Sequence, residues 1–153
     1  MWIALVIIHG LLAVALLGAL THQAVSVLWR PPSRRWFVER FATVVSPVYV
    51  SAIATLFVIT FLFGAYIYSS YRVDVRPVFE SLGWYKAIGS FELKEHFLSL
   101  GLALLPTYWF LWKQVPLSQK VVLRQVATVI VAVVVWYGFI VGHILNDLRG
   151  LGT

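Results

Sequence analysis

Four long apolar runs, separated by short polar segments, limit the folds that this chain can adopt. They cover about residues 2–29, 42–71, 93–112 and 120–146, and a membrane-spanning helix needs about 20 mostly apolar residues. In lipid, only helices and closed barrels satisfy the backbone hydrogen bonds, and four long runs cannot close a barrel. The sequence therefore predicts a single all-α transmembrane domain, 1–153: an integral membrane four-helix bundle with up-down-up-down topology.

The composition agrees with a membrane protein and excludes several other classes. Hydrophobic residues make up 61% of the chain and charged residues 12%, whereas a soluble domain is about half apolar and about a quarter charged. Cysteine is absent, which excludes disulfides, thiolate metal sites, iron–sulfur clusters and covalently attached haem. The net charge of +6 comes from bases in the short connections, so we reject nucleic acid as a partner.

The charges of the connections predict how the chain is threaded through the bilayer. Four arginines and one glutamate follow the first run, and three bases without an acid follow the third. The connection after the second run, extended to residue 95, balances four bases with four acids. By the positive-inside rule, the first and third connections face the cytoplasm, and both termini and the outer loop 72–92 lie outside. We expect a multi-pass protein of the bacterial inner (cytoplasmic) membrane, whose outer loop folds into a cap with a short helix at 77–87.

Three of the four histidines reach one depth in the predicted bundle. At 1.5 Å per residue, His9 lies roughly 10 Å, His96 roughly 9 Å and His143 roughly 7 Å from the outer ends of their helices. Ionisable side chains inside a membrane are costly and usually face the bundle interior or a cavity. The sequence thus predicts that the three imidazoles meet in the outer half of the bundle. The alternative is three unrelated histidines, each bonded to a backbone carbonyl. His22 is expected at a cytoplasmic interface.

Imidazole nitrogens from several helices suit haem b. The ligand candidates are His9, His96 and His143, because neutral imidazole coordinates haem iron. Arg72 and Arg76, at the outer end of the second run, lie at the right level to pair with the haem propionates. The cofactor-binding residues predicted from the sequence are these three histidines and two arginines.

A bare zinc or copper ion is the alternative cofactor. The same three histidines, with Glu92 or Glu95, would supply three nitrogens and one oxygen to such an ion. Copper conduction is disfavoured, because Met1 is the single methionine and cysteine is absent.

Two segments resemble bacterial membrane-protein families. The early histidine His9 and the segment "RRWFVERFATVVSP" (34–47) resemble the four-span, haem-b-binding protoporphyrinogen oxidase family. The segment "HGLLAVALLGAL" (9–20) is similar to the copper-resistance D family, whose spans also begin with a histidine followed by small residues. The resemblance covers most of the length as topology. It implies haem binding and assigns no catalytic residue.

The sequence leaves two functions open. The first is a haem-b-binding membrane protein for electron transfer with a quinone or a redox partner, of which a membrane oxidoreductase is a close variant. The second is a cofactor-free accessory or anchor subunit of a larger membrane complex, in which the histidines bond to backbone or lipid headgroups. Both readings include the lipid bilayer and other membrane protein subunits as partners. Transport is disfavoured because the middle of the spans carries no carboxylate.

Overall fold

The computed structural model describes residues 2–29, 36–43 and 45–151. These residues are helical apart from short connections, and no strand occurs among them. The four long helices are α1 (Trp2–Leu28), α3 (Ser46–Ser70), α5 (Tyr85–Lys113) and α6 (Val121–Leu151). The shorter elements are α2 (Phe37–Ala42), a π-helical turn (Tyr71–Val75) and α4 (Arg76–Ser81). The all-α fold expected from the sequence is therefore confirmed.

The long helices pack side by side, and neighbours run in opposite directions. Helix α1 packs against α3 and α6, and helix α5 packs against the same two. Arg124, early in α6, donates to the carbonyl of Leu111, late in α5, whereas Gly138 lies against Leu98. The other neighbouring helices show the same reversed order. Between α1 and α3 the contacts are His9–Gly64 and His22–Tyr49. Between α3 with its π-helical turn and α5 they are Phe57–Gly101 and Tyr71–Phe91, and between α1 and α6 they are Val27–Gln125 and Thr21–Trp136.

Three stretches of helix are long and apolar enough to cross a membrane. They are Ile3–Leu28, Ser46–Ser81 and Val121–Leu148. Large apolar side chains on these stretches stay more than half exposed, among them Leu11 at 66%, Val48 at 67% and Val122 at 70%. Such exposed apolar surface suits contact with lipid. The chain thus has the helices of a multi-pass membrane protein.

The predicted span 93–112 is part of a longer helix, α5. Charged side chains lower the hydropathy of α5, which is not among the stretches apolar enough to cross a membrane. The charged residues of this helix are Lys86, Glu92, Lys94, Glu95 and Lys113. They were expected mainly in a loop, but the helix begins at Tyr85 and includes them all.

The centre of the helix bundle is apolar and encloses one polar side chain whose hydrogen bonds are formed. Leu20, Phe57 and Val131 are at most 1% exposed. The side chain of Gln23, also fully buried, accepts a hydrogen bond from the Tyr108 hydroxyl and donates one to the carbonyl of Ser46. This amide therefore links α1, α3 and α5, as buried polar groups require.

His22 of α1 contacts the neighbouring helix α3. His22 stands edge-on to Tyr49, whose hydroxyl is 3.2 Å from the His22 Nδ1 atom. Arginines 30, 34 and 35, on which the predicted orientation partly depends, lie outside the described residues.

The outer loop is largely helical. After the π-helical turn, α4 ends in a Schellman motif: the Gly83 and Trp84 amides donate to the carbonyls of Glu80 and Phe79 at 3.1 and 2.8 Å. Gly83 has φ +70°, which glycine adopts without a Cβ clash. The short helix expected at 77–87 is therefore the six-residue α4, 76–81, because the chain reverses at this glycine. We call residues 71–84 the cap.

Candidate functional site

A cavity of about 430 Å³ lies between the four long helices, beneath the cap. Apolar side chains make up most of its wall, including Phe57, Phe61, Leu98, Val135 and Phe139. Ligand-binding cavities in proteins have about this size and consist of apolar surface with a few polar groups. We call this space the cap-side cavity.

Polar side chains from every long helix reach the cap-side cavity. They are His9 of α1, Thr60 of α3, Lys94 and Glu95 of α5, and His143 and Asn146 of α6, together with Tyr71 of the π-helical turn.

Three of these polar groups are buried and unpaired. Among the described residues, the buried side-chain polar atoms without a hydrogen-bond partner are His9 Nδ1, the Thr60 hydroxyl and the Tyr71 hydroxyl. Thr60 and Tyr71 are only 9% and 8% exposed. A buried polar atom left without a partner costs about 1–3 kcal/mol. All three atoms belong to residues that line the cap-side cavity.

The ring of His9 occupies space that a glycine leaves on the facing helix. A Cβ at Gly64 of α3 would lie 3.1 Å from the His9 Cε1 atom, which is closer than side chains normally pack. The ring is therefore held between α1 and α3 at the edge of the cap-side cavity.

The ring of His143 lies at the exposed side of the cap-side cavity. It stacks on Phe139 with a centroid distance of 6.2 Å and an interplanar angle of 1°. Its Nε2 atom is 3.8 Å from the Asp147 carboxylate, and the side chain is 69% exposed. The structure thus brings His9 and His143, from two adjacent helices, to one cavity.

The ring of His96 is outside this cavity. It is exposed, and its Nδ1 atom lies 2.7 Å from the carbonyl of Glu92 on the same helix. The cavity face of α5 has the helical spacing of Phe91, Lys94, Glu95 and Leu98. His96 comes two residues after Lys94, about 200° further around the helix axis, so it projects away from the other two histidines.

The two arginines expected at the ligand lie in the cap and have other partners. Arg76 pairs with Glu80 at 2.8 Å and with Glu92 at 3.0 Å, and so ties α4 to α5. The Arg72 guanidinium lies 5.8 Å from the ring centroid of Tyr68. Neither arginine is part of the cavity wall.

Lys94 is one of the polar cavity residues that sequence reasoning missed; the others are Thr60, Tyr71 and Asn146. Lys94 is only 9% exposed. Its Nζ atom lies 2.6 Å from the Glu95 carboxylate and 4.3 Å from the ring centroid of Phe91. A buried ammonium group is costly unless a charge or a ring face compensates it. The helical spacing from Phe91 to Leu98 was the signal in the sequence that could have identified Lys94.

The described residues contain no group of three or more histidine, aspartate or glutamate side chains placed to hold a metal ion. A haem iron needs fewer protein ligands than a bare ion, because one or two axial side chains suffice. Two histidines, His9 and His143, line the cap-side cavity.

Comparison with known proteins does not assign the chain to a family. No protein-family model, no curated protein and no solved structure matches it. The fold and the site define its class: an all-helical protein with apolar helices of membrane-spanning length and a ligand-sized cavity bordered by histidines.

Proposed function

We propose that this protein binds haem b in the cap-side cavity and transfers electrons between that haem and a quinone or a redox partner protein. One observation carries the proposal: His9 and His143, from two helices, border a single apolar cavity of ligand size. The haem would supply one-electron chemistry, and the protein would supply its axial ligands and an apolar environment.

The chemistry of the cavity wall fits a haem. His9 offers a half-buried imidazole whose buried Nδ1 atom has no hydrogen-bond partner among the described residues, and His143 offers a second imidazole on the neighbouring helix. The Asp147 carboxylate lies 3.8 Å from the His143 Nε2 atom, which is beyond hydrogen-bond distance. The wall beside these histidines is largely apolar and aromatic, as a macrocycle requires; it includes Phe57, Phe61 and Phe139, and Gly10, where an added Cβ would meet nothing within 4 Å. We therefore propose that His9 and His143 would hold the haem iron, and we give His96 no ligand role.

We also propose that α5 crosses the membrane, so that all four long helices are membrane spans. The charges of α5 lie mainly in its first half, near the cap, where headgroups and water can reach some of them. The cap and both termini would lie outside the cytoplasm, in the bacterial inner membrane, so the haem would sit in the outer half of the bilayer.

A difference spectrum of the purified protein tests the haem. We expect a reduced-minus-oxidised spectrum with the α and Soret bands of a b-type haem. His9→Ala should abolish these bands, and His143→Ala should abolish them or convert the spectrum to that of a haem with one axial histidine. His96→Ala should leave them unchanged, because its ring faces away from the cavity.

His22→Ala is the matched control, since His22 lies on the same helix as His9 but bonds to Tyr49. Protein expressed with ample haem supply that shows no haem bands would overturn the proposal. Metal analysis that finds zinc or copper without porphyrin would instead support the bare-ion alternative.

The second candidate is a cofactor-free accessory subunit of a larger membrane complex. Exposed apolar and aromatic side chains in and directly after the cap favour it, because Val73 of the cap and Tyr85, the first residue of α5, are 73% and 69% exposed. Such side chains fit contact with another membrane protein. Under this reading the purified protein has no haem spectrum, and the four histidine variants assemble like the unmodified protein.

A further inference from the structure

The seam between α1 and α6 is closed in the half of the bundle away from the cap. There the Gln125 amide donates to the carbonyl of Val27 at 3.2 Å. The Trp136 indole N–H donates to the Thr21 hydroxyl at 2.9 Å. His143 follows Trp136 by about two helical turns and therefore lies on the same face of α6. Its side chain is nevertheless 69% exposed, so α1 leaves this face uncovered at the cap end.

The exposed residues of the cavity wall border the same seam. They are Ile7 of α1, which is 55% exposed, and His143 and Asn146 of α6. Every wall residue from α3, α5 and the cap is buried or half-buried. The cap-side cavity therefore opens sideways, between the cap ends of α1 and α6. We call this gap the side opening.

The end of the bundle above the cavity is closed by the cap. Tyr71 and Phe79 line the cavity and are 8% and 1% exposed. The Tyr71 ring stacks on Phe91 of α5 with centroids 3.8 Å apart. Arg76 pairs with Glu92 of the same helix at 3.0 Å. An aromatic layer and an ion pair thus separate the cavity from the water beyond the cap.

The helix surface beside the side opening is apolar. Ile3, Ile7 and Leu11 of α1 are 72%, 55% and 66% exposed. Side chains four residues apart lie on one face of a helix, so these three form an exposed apolar strip that runs past the opening. Such a strip suits contact with acyl chains. The side opening therefore faces lipid when the bundle is in a membrane.

We propose that the cap-side cavity receives its ligand through the side opening, from the leaflet of the bilayer at the cap end, and so binds an amphiphile dissolved in the membrane. The inference rests on the proposed function and adds the source of the ligand: haem b reaches the cavity through lipid and not through water at the cap. The rim of the opening combines the apolar Ile7 with the polar side chains of His143 and Asn146. This combination matches a ligand that has an apolar body and a polar edge.

The experiment measures how fast haem binds to apoprotein held in lipid nanodiscs, after rapid mixing and at the Soret band of the bound form. Ile7→Trp narrows the side opening and should lower the association rate about 10-fold, within the range by which such rates vary among variants of one site. The equilibrium affinity should fall much less, because Ile7 lies at the rim of the cavity. Ile7→Ala widens the opening and should raise the rate.

The controls test the position of the opening. Ile8→Trp makes the same substitution at the next residue, which is also exposed, at 43%, but is not part of the cavity wall; it should bind haem at the rate of the unmodified protein. Arg76→Met breaks the ion pairs of the cap and should leave the rate unchanged, whereas entry through the cap predicts faster binding.

Different outcomes overturn the inference and the proposed function. If Ile7→Trp and Ile8→Trp bind haem equally fast, if Ile7→Ala is slower than the unmodified protein, or if Arg76→Met accelerates binding, the side opening is not the route while haem binding stands. If the unmodified protein binds no haem, the inference falls together with the proposed function.

Discussion

At the scale of single residues, the position of His9 depends on a side chain that is missing from the facing helix. The Cβ of an alanine at 64 would lie 3.1 Å from the His9 Cε1 atom. Because α1 and α3 are in contact both at His9–Gly64 and at His22–Tyr49, the imidazole ring is easier to displace than either backbone. The effect of a single methyl group would therefore reach the proposed iron ligand.

Gly64→Ala tests this dependence. We expect the variant to fold, since alanine favours a helix by up to about 1 kcal/mol over glycine, but to bind haem more weakly because the His9 ring is shifted. Haem affinity from Soret titration and helix content from circular dichroism measure the two effects separately. Gly18→Ala is the matched control, because a Cβ at that exposed position of α1 meets nothing within 4 Å. Equal haem affinity in both variants would contradict the tight contact.

For single residues, the depth of each histidine in the bundle could be predicted from the sequence, but the direction of its ring could not. Depth along a helix follows from the rise per residue, and the contacts place His9, His96 and His143 at the cap end of their helices. The direction of each ring around its helix does not follow, because both the lipid side and the packed side of a membrane helix are apolar. For His96, the direction decides whether the ring can reach a ligand at all.

At the scale of elements, the α5–α6 connection depends on one arginine. Arg124 is 3% exposed and donates to the carbonyls of Leu111, Val115, Pro116 and Leu117. Its guanidinium also lies 5.5 Å from the Trp112 ring centroid. Planar guanidinium suits several carbonyls at once, whereas a single ammonium group does not. The side chain thus joins the end of one helix to the beginning of the next.

Arg124→Met should destabilise the protein by about 3 kcal/mol, the upper range for leaving buried polar groups without partners. Unfolding in a detergent titration followed by circular dichroism measures the change. Arg124→Lys should recover only part of the loss, because it cannot reach all four carbonyls. Lys113→Met, which removes an exposed cation at the end of α5, should change the stability little. A loss of similar size in Lys113→Met would show that net charge, and not the carbonyl contacts, matters.

Elements were easier to predict than their ends. The apolar runs coincide closely with α1, α3 and α6. The beginning of α5 was placed too late, since a cluster of charges suggests a loop. Two of those charges have partners in the folded chain: Glu92 pairs with Arg76 of α4, and Lys94 pairs with Glu95. Such pairs depend on tertiary contacts, which hydropathy alone does not reveal.

At the scale of the whole molecule, the two ends of the bundle differ in chemistry. The cap end has acids and bases in pairs, such as Arg76 with Glu80, and holds the ligand-sized cavity. The opposite end has Lys113, Lys120 and Arg124 around the α5–α6 connection, which contains no acid. Positive-inside bias would place this second end in the cytoplasm, so the proposed haem would exchange electrons on the other side of the membrane.

The absence of cysteine makes this orientation testable with single introduced thiols. Ser81 in the cap and Ser118 in the α5–α6 connection are both exposed serines, and cysteine differs from serine by one atom. In intact bacterial cells with a permeable outer membrane, a membrane-impermeant maleimide should label Ser81→Cys and leave Ser118→Cys unlabelled. After the inner membrane is disrupted, both should react, which controls for the accessibility of each thiol. The reverse pattern would put the cap and its cavity on the cytoplasmic side, and the redox partner would then have to be sought there.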